Sequence, residues 1–211
     1  MEKEGGVGAV IAETVRNTGV IPPPDYWKRV RAARTGRMFS CEHYDVVPDI
    51  LVVGKSLGGA LFPLAGIIAR EELDVAPHTA LGHYTHEKNP VACTAALATI
   101  EFIEQENLLE RSRTIGGWAL ERLREMQARR PQIGDVRGLG LLINVELAED
   151  RQTRVPAIDL AERVMYEALS RSLSFKVTMG GVITLAPPLI ITQQQMGRAL
   201  EILEQSLVAA A

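Results

Sequence analysis

The chain is poor in the residues that mark several functional classes. Among its 211 residues are 2 cysteines, Cys41 and Cys93, which lack metal-ligand spacing and are too few for a disulfide framework. No apolar stretch approaches the ~18 residues of a membrane span. Lys and Arg number 23 against 26 Asp and Glu, for a net charge of −3. No basic run is long enough for a nucleic-acid or membrane footprint. The one basic-rich piece, from Lys28 to Arg37, reads as a solvated helix and loop. The first six residues, Met1-Glu-Lys-Glu-Gly-Gly6, are acidic and polar, unlike a secretory signal. These absences point to a soluble, reducing, cytoplasmic setting. What is present, 46% hydrophobic and 23% charged residues, suits one large or two small globular domains.

Apolar runs and helical periodicities alternate along the chain. Gly8-Ala-Val-Ile-Ala-Glu13 is a short apolar run ending on a carboxylate and predicts a buried strand. After Pro22-Pro23-Pro24, the stretch from Asp25 carries acid in its first turn and base in its last, as a helix does. Ile50–Val53 predicts a second buried strand, introduced by Pro48-Asp49, and Leu64–Ala69 a third. From Pro90 the pattern turns helical, with proline at a first helical position and an apolar face through Leu108. A second helix is expected over Leu109–Arg129. The remainder predicts a strand at Leu139–Leu147, a helix at Ala157–Arg171, and strands at Leu173–Val177 and Val182–Leu185. Met196, Leu200, Leu203 and Leu207 mark a last helix. The class is α/β or α+β, with a domain boundary near residue 105.

One lysine stands apart. In Val52-Val-Gly-Lys55-Ser-Leu-Gly-Gly-Ala-Leu-Phe-Pro63 it follows an apolar run and sits among three glycines, with no other charge nearby. A phosphate-binding P-loop needs glycine five positions before Gly54, but Asp49 stands there. Gly138-Leu-Gly140 opens like a dinucleotide fingerprint, yet Ile143 occupies the third glycine position and strand follows instead of helix. Both phosphate motifs fail. An amine at a strand end suits covalent chemistry, because an apolar site desolvates the ammonium and activates it as a nucleophile. An exposed loop lysine is the alternative that spacing leaves open.

The wider pattern resembles the class III aminotransferases. Pro48 to Pro63 is similar to that family's pyridoxal-phosphate lysine signature. Thr35-Gly-Arg-Met-Phe39 with Glu42-His43, Thr85-His-Glu-Lys-Asn-Pro90 with Ala92-Cys-Thr-Ala-Ala-Leu97, Asp135-Val-Arg-Gly-Leu-Gly-Leu141 and Ala186-Pro-Pro-Leu189 resemble further family segments in the right order. The resemblance implies a partial fold type I architecture. Residues 1–105 are then part of a large, pyridoxal-phosphate-binding domain with a mostly parallel sheet. Residues 106–211 are a C-terminal α+β small domain. It implies that Lys55 holds pyridoxal 5′-phosphate as a Schiff base and later moves the substrate's proton. Thr85 then reaches the phosphate of a neighbouring subunit, so that the enzyme is a homodimer. The substrates implied are an amine or amino acid and a keto acid. Glu13 matches a strand-end glutamate that positions the site or merely ends its strand. Arg137 matches an element that serves as a structural ion pair or binds a substrate carboxylate, the former being favoured. His83, Tyr84 and His86 are pocket or subunit-interface residues. Trp27 and Trp118 are expected to pack.

The chain also departs from the family pattern. The half that carries the family's glycine–serine phosphate loop and the ring stacked on the cofactor has no counterpart here. Arg31-Ala-Ala-Arg34 runs directly into Thr35-Gly-Arg37, where the family has a buried strand ending in Asp-Glu-Val. The strand, and the aspartate that keeps the pyridine nitrogen protonated, are missing. Thr184 stands where many members carry an arginine for the α-carboxylate, and threonine makes no bidentate charged contact. Racemisation, or elimination from an amino-phosphonate or amino-phosphate, therefore remain alternatives to transamination, as does an inactive fragment.

Overall fold

A computed structural model describes residues 33–59, 61–76, 78–79, 89–178 and 180–211. The strand expected at Gly8–Glu13, the helix expected after Asp25, and Trp27, His83, Tyr84, Thr85 and His86 lie outside these residues.

The first part of the chain builds a two-stranded antiparallel sheet, β1 (Ile50–Val53) and β2 (Gly66–Ala69), with Ile50 opposite Ala69. Helix α1 (Pro90–Gln105) follows. Pro90 holds the first helical position, and the Asn89 side chain accepts hydrogen bonds from the Val91 and Ala92 amides, satisfying donors that have no helical partner. The β1 and β2 sequences are apolar on both faces, the pattern of strands covered on two sides. Only Leu51 is buried among the described residues, whereas Val52 and Ile67 are 63% and 69% exposed. Every pairing among the described residues is antiparallel. The buried strand expected at Gly8–Glu13 lies outside the described residues.

The second part is a five-stranded antiparallel sheet with three helices packed on one face. Its strands are β3 (Ile133–Leu139), β4 (Leu142–Asp150), β5 (Val155–Pro156), β6 (Lys176–Thr178) and β7 (Val182–Leu185), in the order β3-β4-β7-β6, with β5 beside β4. The helices are α2 (Leu108–Arg129), α3 (Ile158–Ser170) and α4 (Gln193–Ala210). Strand alternation sends Ile143, Val145, Leu147, Ile183 and Leu185 into the core, where Leu123, Val164, Met196, Leu203 and Leu207 meet them from the helices. Each of these large side chains contributes about 1.5–3 kcal/mol when fully buried. The α4 stripe appears as its spacing predicts, and Thr192 and Gln195 close a reciprocal cap at its start.

Two strand expectations need correction. The single strand at Leu139–Leu147 is a hairpin, with Leu139 opposite Leu142 across a two-residue turn. Gly140 supplies the positive φ of +54° there, as tight hairpins require. The glycines that open like a nucleotide fingerprint therefore build a turn. The strand at Leu173–Val177 begins only at Lys176, because the α3 exit continues through turn residues, including Ser172 with φ +67°. No helix among the described residues is long and apolar enough to cross a membrane.

Candidate functional site

Strand β1 delivers the chain to Gly54, and Lys55 opens a 3₁₀ turn over Lys55–Gly58. The Lys55 backbone is left-handed, with φ +56°. That conformation costs a non-glycine residue on the order of 1–2 kcal/mol and is a common mark of a functional position. Gly59 leaves the turn at φ +68°, where an added Cβ would lie 2.9 Å from Thr99 Oγ1 of α1. Glycine thus lets the turn lie directly on the helix. The Phe62 amide donates to the Gly58 carbonyl at 3.2 Å. Phe62 then borders an open, mostly apolar groove of about 460 Å³ with Pro90, Val91, Thr94, Ala95 and Ala98.

Lys55 is exposed, and its amine has no ion-pair or hydrogen-bond partner among the described residues. The desolvating wall expected around it is not formed by those residues. Asp49, which rules out a P-loop, pairs instead with Arg70 at 3.2 Å across the ends of β1 and β2. Among the described residues, the amine at this strand end stands unpaired, as a group expected to react with an aldehyde would. Thr85, which the family resemblance assigns to the cofactor's phosphate, lies outside the described residues.

The segment leading into β1 is tied to the C-terminal layer. The Arg34 carbonyl accepts from the Leu141 amide at 2.7 Å and from Ser112 Oγ of α2. Arg34 Nε donates to the Pro187 carbonyl, and Arg113 Nη1 to the Gly36 carbonyl at 2.6 Å. His43 Nε2 meets the Thr35 carbonyl at 3.0 Å. Burial holds the His43 pKa below its ordinary value, against the opposing pull of that carbonyl. Burial pushes the Cys41 thiol up, keeping it protonated and inert. None of Arg34, Ser112 or His43 is singled out by periodicity, since their bonds go to backbone carbonyls close only in the fold.

Arg137, on the sheet face opposite the helices, bonds Asp135 at 2.6 Å and Glu146 at 2.7 Å through Nη1. Partial burial works against its charge, but the two carboxylates outweigh it and raise its pKa. The ion-pair reading of Arg137 matches this geometry. Thr184 is buried, and its hydroxyl donates to Asn144 Oδ1 at 2.9 Å. Trp118 packs beside Gly197, lining a separate groove between α2 and α4.

The family profile described as Aminotransferase class-III matches residues 30–207. A (R)-1-hydroxy-2-aminoethylphosphonate ammonia-lyase of Vibrio splendidus is 46% identical over 98% of this chain and 47% of its own length. A leucine/methionine racemase of Thermococcus litoralis is 39% identical over 96% of the chain and 50% of its own. The crystal structure of a transaminase from the marine bacterium Virgibacillus superposes with a TM-score of 0.83 at 27% identity, covering 90% of this chain and 49% of that one. The chain thus spans about half the length of the curated relatives it matches. The Vibrio alignment runs over 226 positions, against about 207 residues of this chain. At least about 19 positions of that relative therefore have no counterpart here, the size of a strand with its flanking loops.

Proposed function

Because this chain belongs to the class III aminotransferase family, we propose that it holds pyridoxal phosphate through Lys55 and moves amino groups from an amine or amino acid to a keto acid. The observation that carries this reading is the Lys55 amine, presented without a partner among the described residues by a left-handed turn at the end of β1. When bound, the cofactor withdraws electrons from the amine-bearing carbon of the substrate. Lys55 Nζ is the group that would fasten the cofactor and, once released, would carry the proton away from that carbon. Thr85 is proposed to bind the phosphate held by a second copy of the chain, which makes a homodimer the working unit. Residues 1–105 then serve the cofactor and 106–211 form the small domain that carries Asn144 and Thr184.

A second reading, elimination of ammonia from an amino-phosphonate, is supported by Thr184. Its hydroxyl is committed to Asn144 and offers an α-carboxylate no cationic fork. Absorbance spectroscopy tests the shared premise. Adding pyridoxal phosphate should produce a visible band of the lysine-bound cofactor that Lys55→Ala lacks. Without such a band, this chain is an inactive fragment. Amination of a keto acid by a loaded chain supports transamination, whereas ammonia release without acceptor amination selects the lyase.

A further inference from the structure

Among the described residues, the sheet that carries Lys55 has an open edge. Asp49 and Arg70 face each other just beyond β1 and β2, and the Arg70 amide donates to the Asp49 carbonyl at 3.1 Å. Bonded and non-bonded pairs alternate along an antiparallel ladder. Leu51–Ile68 and Val53–Gly66 are therefore the next bonded pairs. Ile50 and Val52, opposite Ala69 and Ile67, turn their N–H and C=O groups away from β2. These groups have no partner among the described residues.

A folded chain does not leave such an edge bare. Ile50–Val53 carries no charge, proline or bulge to blunt it. Ile50 and Val52 are exposed, and two strands alone are marginal in water. A further apolar run of strand length, Gly8-Ala-Val-Ile-Ala-Glu13, lies earlier in the chain. The family pattern sets a buried strand between that run and β1, and this chain lacks it. Loss of an inner strand leaves its neighbours to pair with each other or to stay unpaired. Residues 14–49 join the run to β1, more than the ~12 that a parallel crossover needs, and they include the helix expected after Asp25. Consecutive strands neighbour each other in roughly two-thirds of cases, which favours β1 over the outer edge of β2.

We infer that Gly8–Glu13 docks as a third strand, parallel to β1, on the edge formed by Ile50 and Val52. The place of the missing strand is thereby closed. Glu13 and Lys55 come to the same end of the sheet, on neighbouring strands about 4.8 Å apart. The pairing is a property of the fold and does not rest on the chemistry proposed for Lys55.

Amide hydrogen exchange, read by NMR on the ¹⁵N-labelled 211-residue chain, tests it. The Ile50 and Val52 amides should be protected as strongly as those of Leu51 and Val53, at every protein concentration. Successive residues of a strand aim their N–H groups to opposite sides, so either Val10→Pro or Ile11→Pro removes a donor aimed at β1. That variant should speed exchange at Ile50 and Val52 at least about tenfold, with Val145 and Ile183 in the core unchanged. Should the core amides exchange faster too, Ile11→Gly, which keeps every donor, should speed Ile50 and Val52 alone about threefold. Free exchange at Ile50 and Val52 in the wild type overturns the inference. So does protection that both proline variants, or the glycine variant where it is needed, leave unchanged. Protection that grows with protein concentration marks a second copy on the edge, and protection of Ile67 and Ala69 instead marks docking on β2. Either result also overturns it.

Discussion

Helix α2 carries adjacent glycines, Gly116 and Gly117, in its interior, where each costs up to about 1 kcal/mol relative to alanine. The fold treats them differently. A Cβ on Gly117 meets nothing within 4 Å, whereas one on Gly116 runs into the carbonyl and Cα of Gly140 at the hairpin turn. That turn has nowhere to retreat. Gly140 sits at φ +54° against the Arg34 carbonyl and Ser112 Oγ, and the next amide, Leu141, is bonded to the Arg34 carbonyl at 2.7 Å. Gly117→Ala should therefore stabilise the chain by up to about 1 kcal/mol. Gly116→Ala gains the same propensity but suffers about 3 kcal/mol of overpacking, for a net loss of about 2 kcal/mol. With a urea m-value of about 2 kcal/mol/M, the midpoint should rise by roughly 0.5 M in the first variant and fall by roughly 1 M in the second. Equilibrium urea denaturation, followed by far-ultraviolet circular dichroism, measures both. A Gly116→Ala midpoint at or above wild type would refute the close approach of helix and hairpin.

Three further outcomes follow from the same contacts. Ser112→Ala removes a buried hydroxyl that bonds both Arg34 and Leu141, and should cost about 1–2 kcal/mol. Limited proteolysis should then cut faster between residues 33 and 46, and unchanged cleavage would argue against that tether. Arg137→Met leaves Asp135 and Glu146, directly opposed across β3 and β4, without their cation. It should cost about 1–3 kcal/mol in low salt, and less in 1 M NaCl, where the carboxylate repulsion is screened. An equal loss at both salt concentrations would contradict the ion-pair role. His43 has a folded pKa below its ordinary 6.5 because it is buried. The unfolded chain therefore binds a proton first as pH falls. The His43 contribution is fully present above about pH 6.5 and declines below it until the folded pKa is passed. Urea midpoints between pH 7.5 and 5 should drop more for wild type than for His43→Gln, and parallel curves would remove His43 as the cause.

Much of the local structure was legible because its signals are local. Proline and asparagine at the start of α1, the Thr192–Gln195 cap of α4 and the stripe from Met196 to Leu207 involve residues within a few positions of one another. The lysine at the end of β1 was equally visible, since an apolar run followed by glycines predicts a strand and then a turn. The hairpin at Gly140 was not. One continuous apolar run from Leu139 to Leu147 reads as a single strand until its partner, Ile133–Leu139, is laid beside it.

By itself, the order of residues determined the helices of the C-terminal layer, the position of Lys55 at a strand end, and the family to which its motifs are similar. Periodicity, capping and glycine placement act within a few residues, so these were available from the chain alone. Tertiary structure alone decided that Gly116 must lack a side chain, that the Arg34 carbonyl joins the lysine-bearing segment to α2 and the hairpin, and that Arg137 is held by two carboxylates. It also decided that Asn144 Nδ2 is buried without an acceptor among the described residues. Each depends on atoms brought together across long stretches of chain, where register and packing, rather than spacing, choose the partner.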